Sequence, residues 1–211
     1  MAQGRRKKGS YSSIWLLLSP KVRRRLTIAV VLIILLLAAA DRLGYWKVYP
    51  QGDQARYHQK TFRVVQVLDG DTFDLEVPDG KHPYTRVRLW GVDTPETEHS
   101  QRGQMYFGPE ASAFTREMAL GQKVTVTLEP NRKARDKYQR LLAYIYLPDG
   151  RMLNEELIRW GYGYADTRFE HVLMSRFREL EKDARREKRG LWAGVQPEQM
   201  PGWYNQRNEA K

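Results

Sequence analysis

The hydrophobic and polar positions of this chain change their period twice. From Leu26 to Ala40 the run LTIAVVLIILLLAAA is uncharged and almost wholly apolar, with no amphipathic stripe, so it reads as a segment that seeks an apolar surrounding on every side. Fifteen residues at ~1.5 Å each fall short of a ~30 Å hydrocarbon core. Continuing the helix through Leu43, Tyr45 and Trp46 restores the length and sets two aromatics at the far interface, so residues 26–46 are expected to form a transmembrane helix. Residues 47–60 are polar, contain Gly52 and show no hydrophobic period; they read as a linker.

From Thr61 the period becomes two. TFRVVQVL ends at Asp69-Gly70, TFDLEV ends at the turn Pro78-Asp79-Gly80, and TRVRLWGV follows, which predicts three strands of a meander. A helical period then opens at Gly108-Pro109-Glu110 and closes at Gly121, with Ala111, Phe114 and Met118 as its apolar stripe. KVTVTL (123–128) and LLAYIYL (141–147) alternate as a fourth and fifth strand around the charged loop EPNRKARDKYQR. Asn154 is expected to cap a short helix that Gly161 stops. A longer helix from about Phe169 carries Phe169, Val172, Leu173, Phe177, Leu180 and Ala184 on one face and ends before Gly190, after which Leu191 and Trp192 pack back. The order βββαββαα predicts an α+β protein: a five-stranded OB-type β-barrel with three helices, preceded by one N-terminal transmembrane helix. Residues 194–211 are expected to be a poorly ordered tail.

Charge refines the first part of this picture more than the second. The net charge is +11, but residues 1–25 hold Arg5, Arg6, Lys7, Lys8, Lys21, Arg23, Arg24 and Arg25 and no acid, so the remainder carries only about +3. The basic cluster ahead of the apolar run keeps the amino terminus in the cytoplasm and places the remainder outside it. Two readings stand: a retained signal anchor, favoured by the long basic leader and the distal aromatics, or a signal peptide cleaved after Ala40 and a secreted product. With no cysteine, disulfides and thiolate metal sites are excluded.

The chemistry sits at strand ends. Asp69-Gly70-Asp71-Thr72 alone is ordinary hairpin-turn chemistry. Asp93-Thr94-Pro95-Glu96 adds a second acidic cluster where the third strand stops. Two carboxylates from neighbouring strand ends, a backbone carbonyl and water suit a hard divalent cation. Thr94 precedes proline and is biased to an extended conformation that leaves its carbonyl free to turn. Arg88, on the strand that leads to Asp93, and Arg140, opening the fifth strand, are guanidiniums of the kind that hold a phosphodiester. Strand alternation would put Arg88 and Asp93 on opposite faces, so a bend at Gly91 is required. His58, His82 and His171 show no metal spacing, Glu98 and His99 read as solvated loop, and Lys133, Arg135 and Lys137 as a solvated or phosphate-steering loop.

VLDGDTFDLEV, RLWGVDTPETE, DKYQRLLAYIY and NEELIRWGY, in this order, resemble the successive motifs of the staphylococcal nuclease (thermonuclease) family over roughly Thr61 to Ala193. The resemblance implies a calcium-dependent nuclease that hydrolyses DNA and RNA at the P–O5′ bond and leaves 3′-phosphates. It implies Asp71, Asp93 and the Thr94 carbonyl as Ca²⁺ ligands, Glu96 as general base, Arg88 and Arg140 as phosphate-binding arginines, and Lys137 and Tyr138 as contacts to the substrate's terminal phosphate. One departure is visible: the family's second nucleotide-site tyrosine falls near Thr167, where the chain reads ADTRFE, leaving Tyr162 and Tyr164 as candidate replacements. No obligate protein partner is implied. The alternative is a catalytically inactive barrel kept as a nucleic-acid or protein binding module; such a member should lack one of Asp71, Arg88, Asp93, Glu96 or Arg140, and all five are present.

Overall fold

The computed structural model describes residues 19–42, 52–97, 103–130 and 132–209, in two compact units divided between Tyr49 and Pro50. In the first unit, helix α1 (Pro20–Arg42) starts inside the basic cluster rather than after it. Its uncharged stretch is the run Leu26–Ala40, and among the described residues no helix is long and apolar enough to cross a membrane. Leu43, Tyr45 and Trp46, which the expected span needed for its length, lie outside the described residues, as do Glu98 and His99.

The second unit is built around a barrel. Strands β1 (Lys60–Asp69), β2 (Thr72–Leu75), β3 (Thr85–Leu89), β5 (Lys123–Thr127) and β6 (Leu141–Tyr146) close in the order β1-β2-β3-β6-β5. All neighbours are antiparallel except β3 and β6, which run parallel with Val87 opposite Leu141. The long β1 reaches two partners because irregularities at Val64/Gln66 and Val67/Asp69 bend it. Inward positions alternate as the sequence pattern requires: Val64, Phe73, Leu75, Val87, Leu89, Val124, Val126, Leu141, Ala143 and Ile145 are all essentially inaccessible.

The third strand stops sooner than its pattern suggests. After Leu89 the chain turns at Trp90-Gly91, where Gly91 adopts φ +75°, and β4 (Val92–Asp93) leaves the barrel to pair with β7 (Tyr164–Ala165). A positive φ is cheap only for glycine, and a Cβ at Gly91 would fall 2.6 Å from the His171 ring. The expected bend is therefore present.

Other expectations are corrected. The segment read as linker contains helix α2 (Asp53–Tyr57), whose Tyr57 is buried in the core with its hydroxyl 3.0 Å from Thr85 Oγ1. Helix α3 (Gly108–Ala119) matches its prediction. Helix α4 (Leu153–Arg159) is not capped by Asn154. That side chain is fully buried instead: Oδ1 accepts from the Ile145 amide at 2.9 Å, and Nδ2 donates to the Trp90 and Ala143 carbonyls at 2.9 and 3.3 Å. Helix α5 begins only at Met174 and runs to Arg186, so Phe169 and Val172 are exposed, while Phe177, Leu180 and Ala184 are buried as expected. Residues 194–209 are ordered: 3-10 turns at Gly190–Ala193 and Pro197–Gln199 lead into helix α6 (Gly202–Glu209), giving five helices among the described residues of this unit where three were expected.

Asn154 ties the Trp90 turn to β6 and α4, and its loss strands several buried backbone groups. Asn154→Ala should therefore cost about 2–4 kcal/mol, read as a lower urea midpoint at unchanged m-value. A shift under about 0.5 kcal/mol, the range of a neutral surface change, would show that the network is dispensable.

Candidate active site

The register of β2 against β3 sets the first contact. Thr72 faces Arg88 across the pair, and Arg88 projects from the outer side of the barrel because its neighbours Val87 and Leu89 point inward. Its Nη1 donates to Asp71 Oδ1 at 2.6 Å, and its Nη2 donates to Asp93 Oδ1. One guanidinium thus spans the two carboxylates delivered by β2 and β4. Asp71 is buried and further held by the Thr72 hydroxyl (2.8 Å to Oδ1) and the Thr94 amide (3.0 Å to Oδ2). The Thr94 contact depends on Gly70, where a Cβ would lie 2.8 Å from Thr94 Oγ1. Thr94 Oγ1 is itself buried with no hydrogen-bond partner among the described residues.

The electrostatics show more acid than base. Burial opposes the Arg88 charge, but Asp71 and Asp93 outweigh it and its pKa is raised. Burial raises the Asp93 carboxyl despite the Arg88 and Arg168 charges beside it. Asp69 is pushed up to about 7, first by burial and then by the neighbouring Asp71 and Glu96 carboxyls. Asp69, Asp71, Asp93 and Glu96 therefore form an acidic cluster, and one arginine bridges two of its members. That surplus suits a divalent cation, and the donor chemistry is all oxygen. Among the described residues no three His, Cys, Asp or Glu side chains gather tightly enough to hold a metal alone.

Arg140, Lys137 and Tyr138 form a second group at the entry to β6. Asp136 organises it, accepting from the Tyr138 amide (2.9 Å), the Arg140 amide (3.0 Å) and Arg140 Nε (2.7 Å). The Lys137 ammonium and Arg140 guanidinium lie 4.9 and 5.3 Å from the centre of the exposed Tyr138 ring. Because Val87 pairs with Leu141 in parallel strands, Arg140 arrives beside the strand that carries Arg88. Tyr138 and Arg140, with Arg86, Tyr84, His82 and Asp74, border a cleft of about 300 Å³. Arg135 is not solvated: it forks onto Asp53 (2.8 Å to each oxygen) and also pairs with Asp79.

Sequence reasoning missed three residues. Asp69 passed as a turn residue, although it sits two positions from Asp71 and so shares its end of the barrel. Arg168 forms an ion pair with Asp93, Nη2 lying 3.1 Å from Oδ1, while its fork donates to Asp166 at 2.9 and 2.7 Å. Trp203, from the supposed tail, donates Nε1–H to Asp93 Oδ2 at 2.8 Å. The candidate tyrosine replacements are also corrected. Tyr164 is fully buried, and Tyr162 is stacked on Phe114 at 4.2 Å; the exposed ring nearest in sequence to Thr167 is Phe169, which stacks on Trp90 at 6.0 Å.

The raised Asp69 carboxyl predicts a pH effect. Between its ordinary value of 3.8 and about 7 the folded chain binds more protons than the unfolded chain, so stability falls as pH rises through that window. Urea unfolding in chelator should show this decline, and Asp69→Asn should flatten it. An equally steep decline in the variant would place the proton elsewhere.

A family described as "Staphylococcal nuclease homologue" matches residues 86–194. The chain is 35% identical over 137 residues to a thermonuclease of Staphylococcus hyicus, covering 64% of this chain and 78% of that protein. It is 35% identical over 143 residues to an uncharacterized endonuclease of Escherichia coli, covering 67% and 81%, and 34% identical over 137 residues to a thermonuclease of Staphylococcus intermedius, covering 63% and 76%.

Proposed function

The chain belongs to the staphylococcal nuclease family, and from that premise we propose that it is a nuclease that hydrolyses phosphodiester bonds of DNA and RNA with Ca²⁺ as cofactor. The observation that carries this reading is the buried Arg88 bridge between Asp71 and Asp93, set among the surplus acids Asp69 and Glu96. Asp71, Asp93 and the Thr94 carbonyl would hold the cation, which supplies positive charge against the phosphate oxygens and lowers the cost of charge build-up there. Arg88 and Arg140 then stabilise the same developing charge by directed hydrogen bonds. Glu96 accepts a proton from water as its oxygen bonds to phosphorus; the P–O5′ bond breaks, giving a 3′-phosphate and a 5′-hydroxyl. Lys137 and Tyr138 hold the substrate's terminal phosphate.

Glu96→Gln is the cleanest test of the chemistry, because Glu96 is not one of the carboxylates that pair with Arg88. Cleavage should slow by ~10²–10⁴-fold with the fold intact. Arg88→Ala is a poorer choice, since it leaves two buried carboxylates without their partner; Arg88→Lys keeps the charge, loses the fork and should slow cleavage by roughly 10²–10³-fold. Wild-type rates in Glu96→Gln would remove Glu96 from the chemistry, full activity in excess chelator would remove the metal, and a wild-type chain that binds nucleic acid but never cleaves it would favour the inactive barrel.

Location is a further part of the proposal. Eight basic residues, then Leu26–Ala40, then a far less charged remainder support export of the barrel, with the apolar segment holding it at the membrane. In α1 the side chains from Leu26 to Leu37 are exposed on every face, so an apolar surrounding would cover them. The full chain should then stay with membranes through a high-salt wash and leave with detergent. A mature chain beginning at Asp41 in the soluble exported fraction would mean cleavage instead, and an intact soluble chain would overturn membrane attachment.

A further inference from the structure

Asp93 is carried by a strand of two residues, and two-residue pairing is a weak hold on a carboxylate. Its partner across β4–β7 is Tyr164, and Tyr164 is where the carboxy-terminal segment packs. Tyr164, Leu191 and Tyr204 form a second buried apolar cluster, with Trp192, Met200 and Trp203 against it. Ring centres of Tyr164 and Tyr204 lie 4.9 Å apart, and Arg185 donates to the Tyr204 hydroxyl at 3.1 Å. Upstream, the Gln196 and Gln199 side chains close a capping box on the second 3-10 turn, and Asn205 Nδ2 donates to the Pro197 carbonyl at 2.7 Å. The segment is thus a built part of the unit, and α6 presents Trp203 in one orientation.

That orientation puts the indole N–H on Asp93 Oδ2 at 2.8 Å, while Arg168 reaches the other oxygen at 3.1 Å. The Arg168 guanidinium also lies 4.6 Å from the Trp203 ring centre, so indole, guanidinium and carboxylate brace one another. Resting on the metal-dependent reading above, we propose that Trp203 is a positioning residue of the metal site, fixing the Asp93 carboxylate for the cation from outside the ligand set. An indole N–H orients a carboxylate without neutralising it, so the attraction for a cation is kept and the rotational freedom lost on binding is already removed. Hydrogen-bonded supports of this kind are worth ~10–100-fold in metal affinity.

The test is Ca²⁺ titration by calorimetry on the full chain and on Trp203→Phe, with thermal unfolding of both in chelator. Phenylalanine keeps a ring under Arg168 and against Tyr204 but has no N–H. The expected result is a melting temperature lowered by a few degrees at most, for one lost hydrogen bond, and ~10–100-fold weaker Ca²⁺ binding. Equal affinity in the two chains overturns the proposal alone, and tighter binding in the variant overturns it in favour of a blocking contact. A wild-type chain that takes up no Ca²⁺ overturns both this proposal and the metal-dependent reading. Should the variant not fold, the ¹⁵N-labelled wild-type chain still decides: the Trp203 indole N–H signal should shift as Ca²⁺ is added, and a signal that stays in place overturns the proposal.

Discussion

The bridge from Arg88 to Asp71 and Asp93 is the contact on which the rest of this site depends. A buried carboxylate, Asp71, and a half-buried one, Asp93, are both satisfied by one half-buried guanidinium. Removing one member of such a set typically costs ~3–5 kcal/mol, because an uncompensated charge remains. That is as much as truncating a buried phenylalanine such as Phe73, also ~3–5 kcal/mol. A residue expected only to hold phosphate therefore carries the structural weight of a core side chain, and loss of activity on its removal has two possible origins.

Strand register is what makes the bridge possible. On the inner side of β2 and β3 sit Phe73, Leu75, Val87 and Leu89; on the outer side Thr72 faces Arg88 and Asp74 faces Arg86. Asp74 accepts a fork from Arg86 at 2.9 and 3.0 Å, one step along the same ladder. Slipping β3 by one residue would drive two arginines into the barrel and expose three core side chains. The hydrophobic core thus selects one register with great force, and the charged outer face inherits that precision at no further cost.

Period-two alternation was enough to read the barrel, since inward positions such as Val124 and Val126 answer to one physical demand. The bend at Gly91 was also legible, because the chemistry required Arg88 and Asp93 to meet and only glycine there could turn the chain. Asn154 was misread because a residue that satisfies backbone groups in sequence-distant elements looks identical to a cap until the fold is known. Phe169 and Val172 were misread for a related reason: their spacing fits a helix, but the chain remains irregular until Met174, with the Val172 amide bonded to Glu129 at 2.9 Å. Asp69 is a matter of coupling; a single acid in a turn is unremarkable until Asp71 and Glu96 crowd it.

The carboxy-terminal segment was the least legible, and the reason bears on how the site is built. Met200, Trp203 and Tyr204 give too few apolar positions to show a period, and the helix that carries Trp203 and Tyr204 is only eight residues long. Isolated helices of that length are marginal in water. This one is held by partners far away in sequence: Tyr164 on β7, Arg185 on α5 and Asp93 on β4. Those partners converge because β4 pairs with β7 outside the barrel, where Val92 and Ala165 join the main core and Tyr164 is covered by the segment's own cluster. The short sheet cannot hold Asp93 by its own ladder, so the segment that covers the sheet also holds the carboxylate, and the order of the tail and the geometry of the site become one property.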